Sequence, residues 1–299
     1  MVDVITVGEI LADFVPAQIK KVFKYELRPG GAPSNVAVNL SRWGIKTGII
    51  SKIGNDFIGS FLIDFLRKNK VNVSNVFKTK NNKTGLVFVF LDASGERDFS
   101  FYGAPSADQF LNQKEIKENF IKQAKILHFG SISMMSEISK KATLKAIKIA
   151  KKNNLFVSYD PNVRLNLWEG RYSYAKKQIK SYFKYADIIK ISNDELKFLF
   201  NSKPQLNNLK NIFEKEQLVF ISAGAKGCYV FYKDFFKYVC GYKVKVVDTT
   251  GAGDAFMAGV LFKILKSGGL KNITNNKLVE IARFANKKGA DAVQRKGAV

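Results

Sequence analysis

The sequence predicts an α/β fold in which a mostly parallel central sheet is flanked by helices, and three observations carry that prediction. Short β-branched and aromatic runs alternate with helical patterns through most of the chain, the arrangement that builds parallel sheets. One stretch, residues 85–101, breaks this rhythm and reads as two strands paired around a turn. Late in the chain, Asp248-Thr249-Thr250-Gly251-Ala252-Gly253-Asp254 joins a β-branched run (Val244, Val246, Val247) to an apolar helix within a dozen residues.

Taken in order, residues 4–9 are a buried strand, followed by Asp13 as the carboxylate nearest its end. Gly30-Gly31-Ala32-Pro33-Ser34-Asn35 comes next: two glycines permit close backbone approach, Pro33 fixes the entry, and Ser34 or Asn35 can cap a helix carrying Val36, Leu40 and Trp43. Residues 47–53 form a second strand, and Phe57, Ile58, Phe61, Leu62, Phe65 and Leu66 mark the apolar face of a second helix. Residues 125–129 and 155–159 are strands separated by a helix over 139–152, with His128 expected as a hydrogen-bonded core residue. Asp160-Pro161-Asn162-Val163-Arg164 begins at a strand end, where ligands collect in parallel sheets. A strand over 186–191 leads into Ser192-Asn193-Asp194-Glu195, which has capping-box spacing. Residues 218–222 run into Ala223-Gly224-Ala225-Lys226-Gly227 and then a β-hairpin, and a further helix spans 281–289.

The stretch 248–254 has a chemical use. The first amides of a helix lack intrahelical acceptors and sit at the positive end of its dipole, so a glycine turn there can hold an anion. Gly251 and Gly253 supply close approach, while Asp254 would repel a resting phosphate. A hydroxyl placed between them resolves the conflict, giving its proton to Asp254 as its oxygen attacks phosphorus. The helix dipole favours the ionised carboxylate, which predicts a weak base at Asp254. The competing reading is an N-cap aspartate in an ordinary strand-to-helix turn.

Asp-Thr-Thr-Gly-Ala-Gly-Asp resembles the C-terminal signature of the ribokinase-like (PfkB) family of carbohydrate kinases, and the resemblance runs over nearly the whole chain. It implies a three-layer fold, a single kinase domain over 1–299, and a small β lid over the sugar formed from about 14–28 and 85–103. It also implies an ATP-dependent sugar kinase with Asp254 as catalytic base and the amides of Gly251, Ala252, Gly253 and Asp254 as anion hole. Asp13, Gly30, Gly31 and Asn35 would contact the sugar, and Arg164, in a stretch like the Asp-Pro-Asn-x-Arg of fructokinases and 2-keto-3-deoxygluconate kinases, would lie near phosphate or substrate. Ser222, Gly224, Lys226 and Gly227 would form the nucleotide-side loop, and Asn286 the adenine edge. Glu195 would act on Mg²⁺ through water. Asp248 and Thr250, with carbonyls of 292–297, could surround a monovalent cation such as K⁺. Fructose is the expected substrate, with ribose and 2-keto-3-deoxygluconate as alternatives; Gly103 stands where fructokinase-like members are expected to carry arginine, which counts against the last. The lid could also pair two subunits into a homodimer.

The composition, 46% hydrophobic in 299 residues, supports a substantial core, and no run of 18 uncharged apolar residues predicts a membrane span. Two cysteines make no disulfide framework, one histidine argues against histidine-based metal sites, and the N-terminus lacks a signal-peptide pattern, so the cytoplasm is expected. With 49 basic and 25 acidic residues the net charge is +24, which raises a different class of function, a basic nucleic-acid or polyanion-binding protein. The lysines are dispersed, with no block of five or six like charges, so no specific nucleic-acid partner is expected.

Overall fold

The computed structural model describes residues 2–20, 22–91, 97–271 and 273–299; the turn expected at 92–96 lies outside them. Strand β1 (Val4–Val7) leads to β2 (Leu11–Lys20), β3 (Val22–Gly30), helix α1 (Ala32–Arg42), β4 (Thr47–Gly54), α2 (Phe57–Lys68) and β5 (Asn72–Thr79). Then come β6 (Gly85–Leu91), β7 (Arg97–Tyr102), α3 (Glu118–Ile121), β8 (Ile126–Phe129), α4 (Glu137–Lys152), β9 (Phe156–Tyr159) and α5 (Tyr172–Ser181). The chain closes with β10 (Ile188–Ser192), α6 (Asn193–Phe200), α7 (Leu206–Ile212), β11 (Leu218–Ser222), β12 (Gly227–Tyr232), β13 (Phe235–Cys240), α8 (Ala252–Lys266) and α9 (Asn275–Ala292).

Among the described residues nine strands make the main sheet, in the order β13-β12-β11-β10-β9-β8-β1-β4-β5. From β11 to β5 every neighbouring pair is parallel, and β12 and β13 return as an antiparallel hairpin. Parallel neighbours require crossovers, which the helices supply. Strand residues alternate in direction, and the alternation sorts them into two cores. Ile5, Leu127, Ile189 and Val219 pack with α4 and α5 residues such as Ile147 and Ile179. Their chain neighbours Val4, Ile126, Ile188 and Leu218 pack with Leu40 of α1, Phe256 and Ile264 of α8 and Ile281 of α9. This is the three-layer α/β arrangement expected.

A second sheet, ordered β3-β2-β6-β7, stands apart. Its two faces differ. Leu11, Asp13, Val87 and Phe101 face the carboxyl ends of the main sheet. Phe14, Tyr25, Phe88, Phe90 and Tyr102 form an aromatic cluster, with Phe14 stacked on Phe88 at 4.7 Å and Tyr102 left 55% exposed.

One expected strand is missing. Val244, Val246 and Val247 belong to an irregular link, with Val246 and Val247 half exposed and the amides of Val247 and Asp248 donating to the Val293 carbonyl at 2.7 and 3.1 Å. β13 ends at the sheet's edge, so the chain must travel back across the sheet to begin α8, and a run crossing that way meets no strand to pair with.

The surplus lysines are put to use on the surface. Lys288 lies over Trp43 and Phe284 at 5.1 and 5.2 Å, Lys176 over Phe198 at 4.7 Å and Lys180 over Phe200 at 4.9 Å. Each ammonium covers an aromatic face that is only partly buried. Among the described residues no helix is long and apolar enough to cross a membrane.

Candidate active site

A cleft of about 1070 Å³ lies across the carboxyl ends of β1, β8, β9, β10 and β11. Five neighbouring strands at the usual spacing span roughly 19 Å, room for two small molecules end to end. The second sheet closes one end through Asp13, Val87 and Phe101, the loop after β11 forms the other, and the N-terminus of α8 stands over the middle.

Gly251 is the N-cap of α8, in the left-handed region with φ 76°. A Cβ there would meet the Ala298 Cα at 2.6 Å, so only glycine allows the C-terminal loop to close beneath the turn. Gly253 and Asp254 line the cleft and their amides have no intrahelical acceptor, whereas Ala252, a sequence-predicted member of the anion hole, is not among the lining residues and its amide donates to the Thr249 carbonyl at 3.3 Å; the first intrahelical bond is from Ala255 N–H to the Gly251 carbonyl at 2.8 Å. Asp254 is therefore inside the first turn and is no N-cap. Its carboxylate is 7% exposed and accepts a 2.8 Å hydrogen bond from the Asn35 amide of α1.

Burial pushes the Asp254 carboxyl above its ordinary range, opposed by the Asn35 hydrogen bond and by the charges of Arg164 and Lys190. The dipole-based expectation of a weak base is thus corrected: desolvation by burial is the largest influence on this carboxyl. Replacing Asn35 by leucine removes a donor that stabilises the charged form, so Asp254 would hold its proton to higher pH. The acid limb of the kcat/KM profile should move upward and neutral-pH activity should fall at least about ten-fold; an unmoved limb in a folded Asn35→Leu variant would contradict this linkage.

At the second-sheet end, Asp13 lines the cleft and Gly30 does not. A Cβ on Gly30 would stand 2.5 Å from Asp13 Oδ2, so this glycine makes room for the carboxylate rather than for a ligand. Gly31 lines the cleft at φ 101°, where a Cβ would strike the Glu9 carbonyl at 2.5 Å. Arg164 lines the cleft beside Asn162 after β9.

At the far end, Ser222, Gly224 and Lys226 line the cleft, whereas Gly227 serves the backbone: a Cβ would lie 2.2 Å from the Val239 carbonyl. Asn286, expected at an adenine edge, is not among the lining residues. Its amide donates to the Val239 and Cys240 carbonyls at 3.1 and 3.0 Å, satisfying acceptors at the end of edge strand β13. Val246 and Val247 line this end instead and offer an apolar wall.

Glu195 reaches the cleft with its carboxylate fixed by the amides of Val163 and Ser192, both at 2.7 Å, while Ser192 Oγ accepts from the Glu195 amide at 3.1 Å. Asp248 accepts from Thr250 N at 2.7 Å and Gly297 N at 3.0 Å, so it joins the turn before α8 to the C-terminal loop. Among the described residues no group of three or more acidic, histidine or cysteine side chains could hold a metal ion.

Three buried polar groups went unsingled in the sequence. Lys190 interrupts the apolar run of β10 and is paired with Asp160 at 3.0 Å; a charge inside a strand was the available signal. Burial pushes the Asp160 carboxyl up to about 7 despite that lysine. Glu9, 2% exposed, lines the cleft and accepts from Ala32 N at 3.1 Å, and burial pushes it up to about 8. His128 is a core residue as expected: it meets Ser158 Oγ at 3.0 Å, and burial with the nearby Lys190 charge pushes it down to about 3.

A family model described as pfkB family carbohydrate kinase matches residues 1–299. The chain is 41% identical over 302 residues to "Probable fructokinase-5" of Arabidopsis thaliana, covering 99% of this chain and 93% of that protein. It is 40% identical over 304 residues to "Fructokinase-2" of Oryza sativa subsp. japonica, covering 99% and 89%. Among solved structures, the fructokinase from Vibrio cholerae O395 in its fructose, ADP and calcium ion bound form superposes with a TM-score of 0.90 at 33% identity, covering 100% of this chain and 94% of that one. A double-mutant form of it with fructose, ADP and potassium ion gives a TM-score of 0.89 at 31% identity, covering 100% and 94%.

Proposed function

Since the chain belongs to the pfkB family of carbohydrate kinases, we propose that this sugar kinase transfers the γ-phosphoryl group of ATP to a hydroxyl of fructose, with Asp254 as base. The observation that carries the reading is the meeting of a buried carboxylate with the open amides of α8 in the middle of a two-ended cleft. The sugar lies under the second sheet, near Asp13, Gly31, Asn35 and Arg164, and the nucleotide lies toward Ser222, Gly224 and Lys226. Asn35 Oδ1, buried and without a donor among the described residues, faces this chemistry beside the amide that holds Asp254.

In the reaction the attacking hydroxyl gives its proton to Asp254 while its oxygen bonds to phosphorus and ADP leaves. The amides from Gly251 to Asp254 hold the transferring group, and the raised Asp254 carboxyl makes it a better proton acceptor than an exposed aspartate. Val87 and Phe101 close over the sugar and exclude water that would otherwise take the phosphoryl group, which makes the second sheet a lid on a single domain. Mg²⁺, when bound, would neutralise charge on the nucleotide phosphates, and Glu195, whose carboxylate reaches the cleft, would act on it through water. Asp248, a buried negative charge between two loops, is suited to favour K⁺ among their carbonyls.

The test is ADP release from Mg-ATP with fructose, ribose, 2-keto-3-deoxygluconate and nucleosides, with chelator and with sodium in place of potassium as controls. Fructose should give the highest kcat/KM; preference for another sugar would replace the substrate assignment, and no turnover with any would overturn the reading. We also propose that the aromatic outer face of the lid pairs two chains, because Tyr102 and Phe90 stay exposed there. Sedimentation at micromolar concentration should give twice the chain mass, and a monomer would refute it. The two free cysteines, one buried and one exposed, suit the cytoplasmic setting proposed from the sequence.

A further inference from the structure

Lys190 is an unusual residue to find where it is. In β10 it sits two residues from Ile188, on the face that α8 covers, and it is 6% exposed. Its ammonium lies 3.0 Å from Asp160 Oδ2 and 3.2 Å from Oδ1. A Cβ built on Gly253 would stand 3.0 Å from the same nitrogen, the shortest contact that position would make. The glycine of the α8 turn thus leaves its side-chain space to the lysine, and Lys190, Gly251 and Gly253 line one cleft.

Burial disfavours the charged form of this lysine, but the carboxylates of Asp160, Glu195 and Asp254 together outweigh it and favour the ammonium. An ion pair this deep contributes little to stability compared with apolar residues of similar volume. The neighbours of Lys190 in β10 are isoleucines, so an apolar side chain would suit the strand better. Packing therefore gives no reason for a lysine here, whereas the anion site above it does.

We propose that Lys190 is the fixed cation of the phosphoryl-transfer site, stabilising the charge that gathers on the transferring group from beneath the turn while the α8 amides hold it from the helix end. Asp160 is its positioning residue, keeping the ammonium against Gly253. The inference rests on the reading of Gly251 to Asp254 as the anion hole. Charge placed where negative charge develops acts on the transition state more than on bound substrate.

Lys190→Met keeps the side chain's length and suits the apolar face, and Lys190→Gln keeps a donor for Asp160. The measurements are kcat and KM with fructose and Mg-ATP, and calorimetric binding of ADP alone and of ADP with aluminium fluoride and fructose. Both variants should lose about 10²–10³-fold in kcat, lose affinity for the aluminium fluoride complex in parallel, and bind ADP alone nearly as before. Lys190→Arg should recover part of the rate. A folded Lys190→Met or Lys190→Gln enzyme within about three-fold of the parental kcat would overturn the proposal. Equal losses for ADP and for the aluminium fluoride complex would overturn it too, since they indicate a structural role. Gly251→Val measured alongside separates the two readings: a natively folded Gly251→Val enzyme with unchanged kcat sinks the anion-hole assignment itself, whereas a slowed one beside an active Lys190→Met sinks only the role of Lys190.

Discussion

Asp254→Asn should lower kcat by about 10³–10⁴-fold while leaving the KM for sugar within a few-fold, because the amide keeps the shape of the carboxylate but cannot take the proton. The loss should persist across pH, since the neighbouring carboxylates among the described residues are already engaged: Asp248 by Thr250 N and Gly297 N, Glu9 by Ala32 N and Asp160 by Lys190. Rate measurements on the purified variant with fructose and Mg-ATP decide the matter, and a variant within ten-fold of the parent would remove Asp254 from the mechanism. Asparagine also retains an acceptor for the Asn35 amide, so thermal unfolding should shift little.

Gly251→Val should be the next most damaging change. Gly251 has φ 76°, a conformation a β-branched residue strongly resists, and its Cβ would lie 2.6 Å from Ala298 Cα and 2.7 Å from the Ala298 carbonyl oxygen. Neither obstacle is a flexible side-chain end, so the turn must reshape and the amides of Gly253 and Asp254 must move. A kcat loss of about 10²–10³-fold is expected, with about 1–3 kcal/mol of destabilisation from backbone strain. Circular dichroism that reports a native fold alongside unchanged kcat would show that the turn does not hold the phosphoryl group.

Much of this site was legible because it is local. The turn at 251–254 brings glycines, amides and a carboxylate together within one helical turn, so its chemistry can be read without knowing the fold. The apolar runs that become β1, β8, β10 and β11 were equally legible, since each is a property of its own stretch. Where the reading failed, the deciding partner was distant in sequence. Val244, Val246 and Val247 have strand propensity, but a strand needs a neighbour, and the chain is crossing the sheet at that point. The resemblance placed Asn286 at an adenine edge, and that its amide donates to carbonyls of β13 could not be read from the sequence. Asp254 looked like a weak base because only the helix end was visible; the burial that raises it comes from the packing around the cleft. Lys190 was visible as a charge in an apolar strand, but Asp160 and Gly253, which give it meaning, lie 30 and 63 residues away.

The lysines that lie over Trp43, Phe198, Phe200 and Phe284 have a bearing on how the surface tolerates chemical modification. Reductive methylation, a common aid to crystal growth, enlarges an ammonium but leaves its charge, and so preserves its attraction to the ring below. Acetylation neutralises the same nitrogen and frees the ring to seek other cover, turning a dispersed coat of charge into a set of sticky aromatic spots. For this chain methylation of those lysines should leave the molecule dispersed, whereas acetylation of the same lysines should promote association.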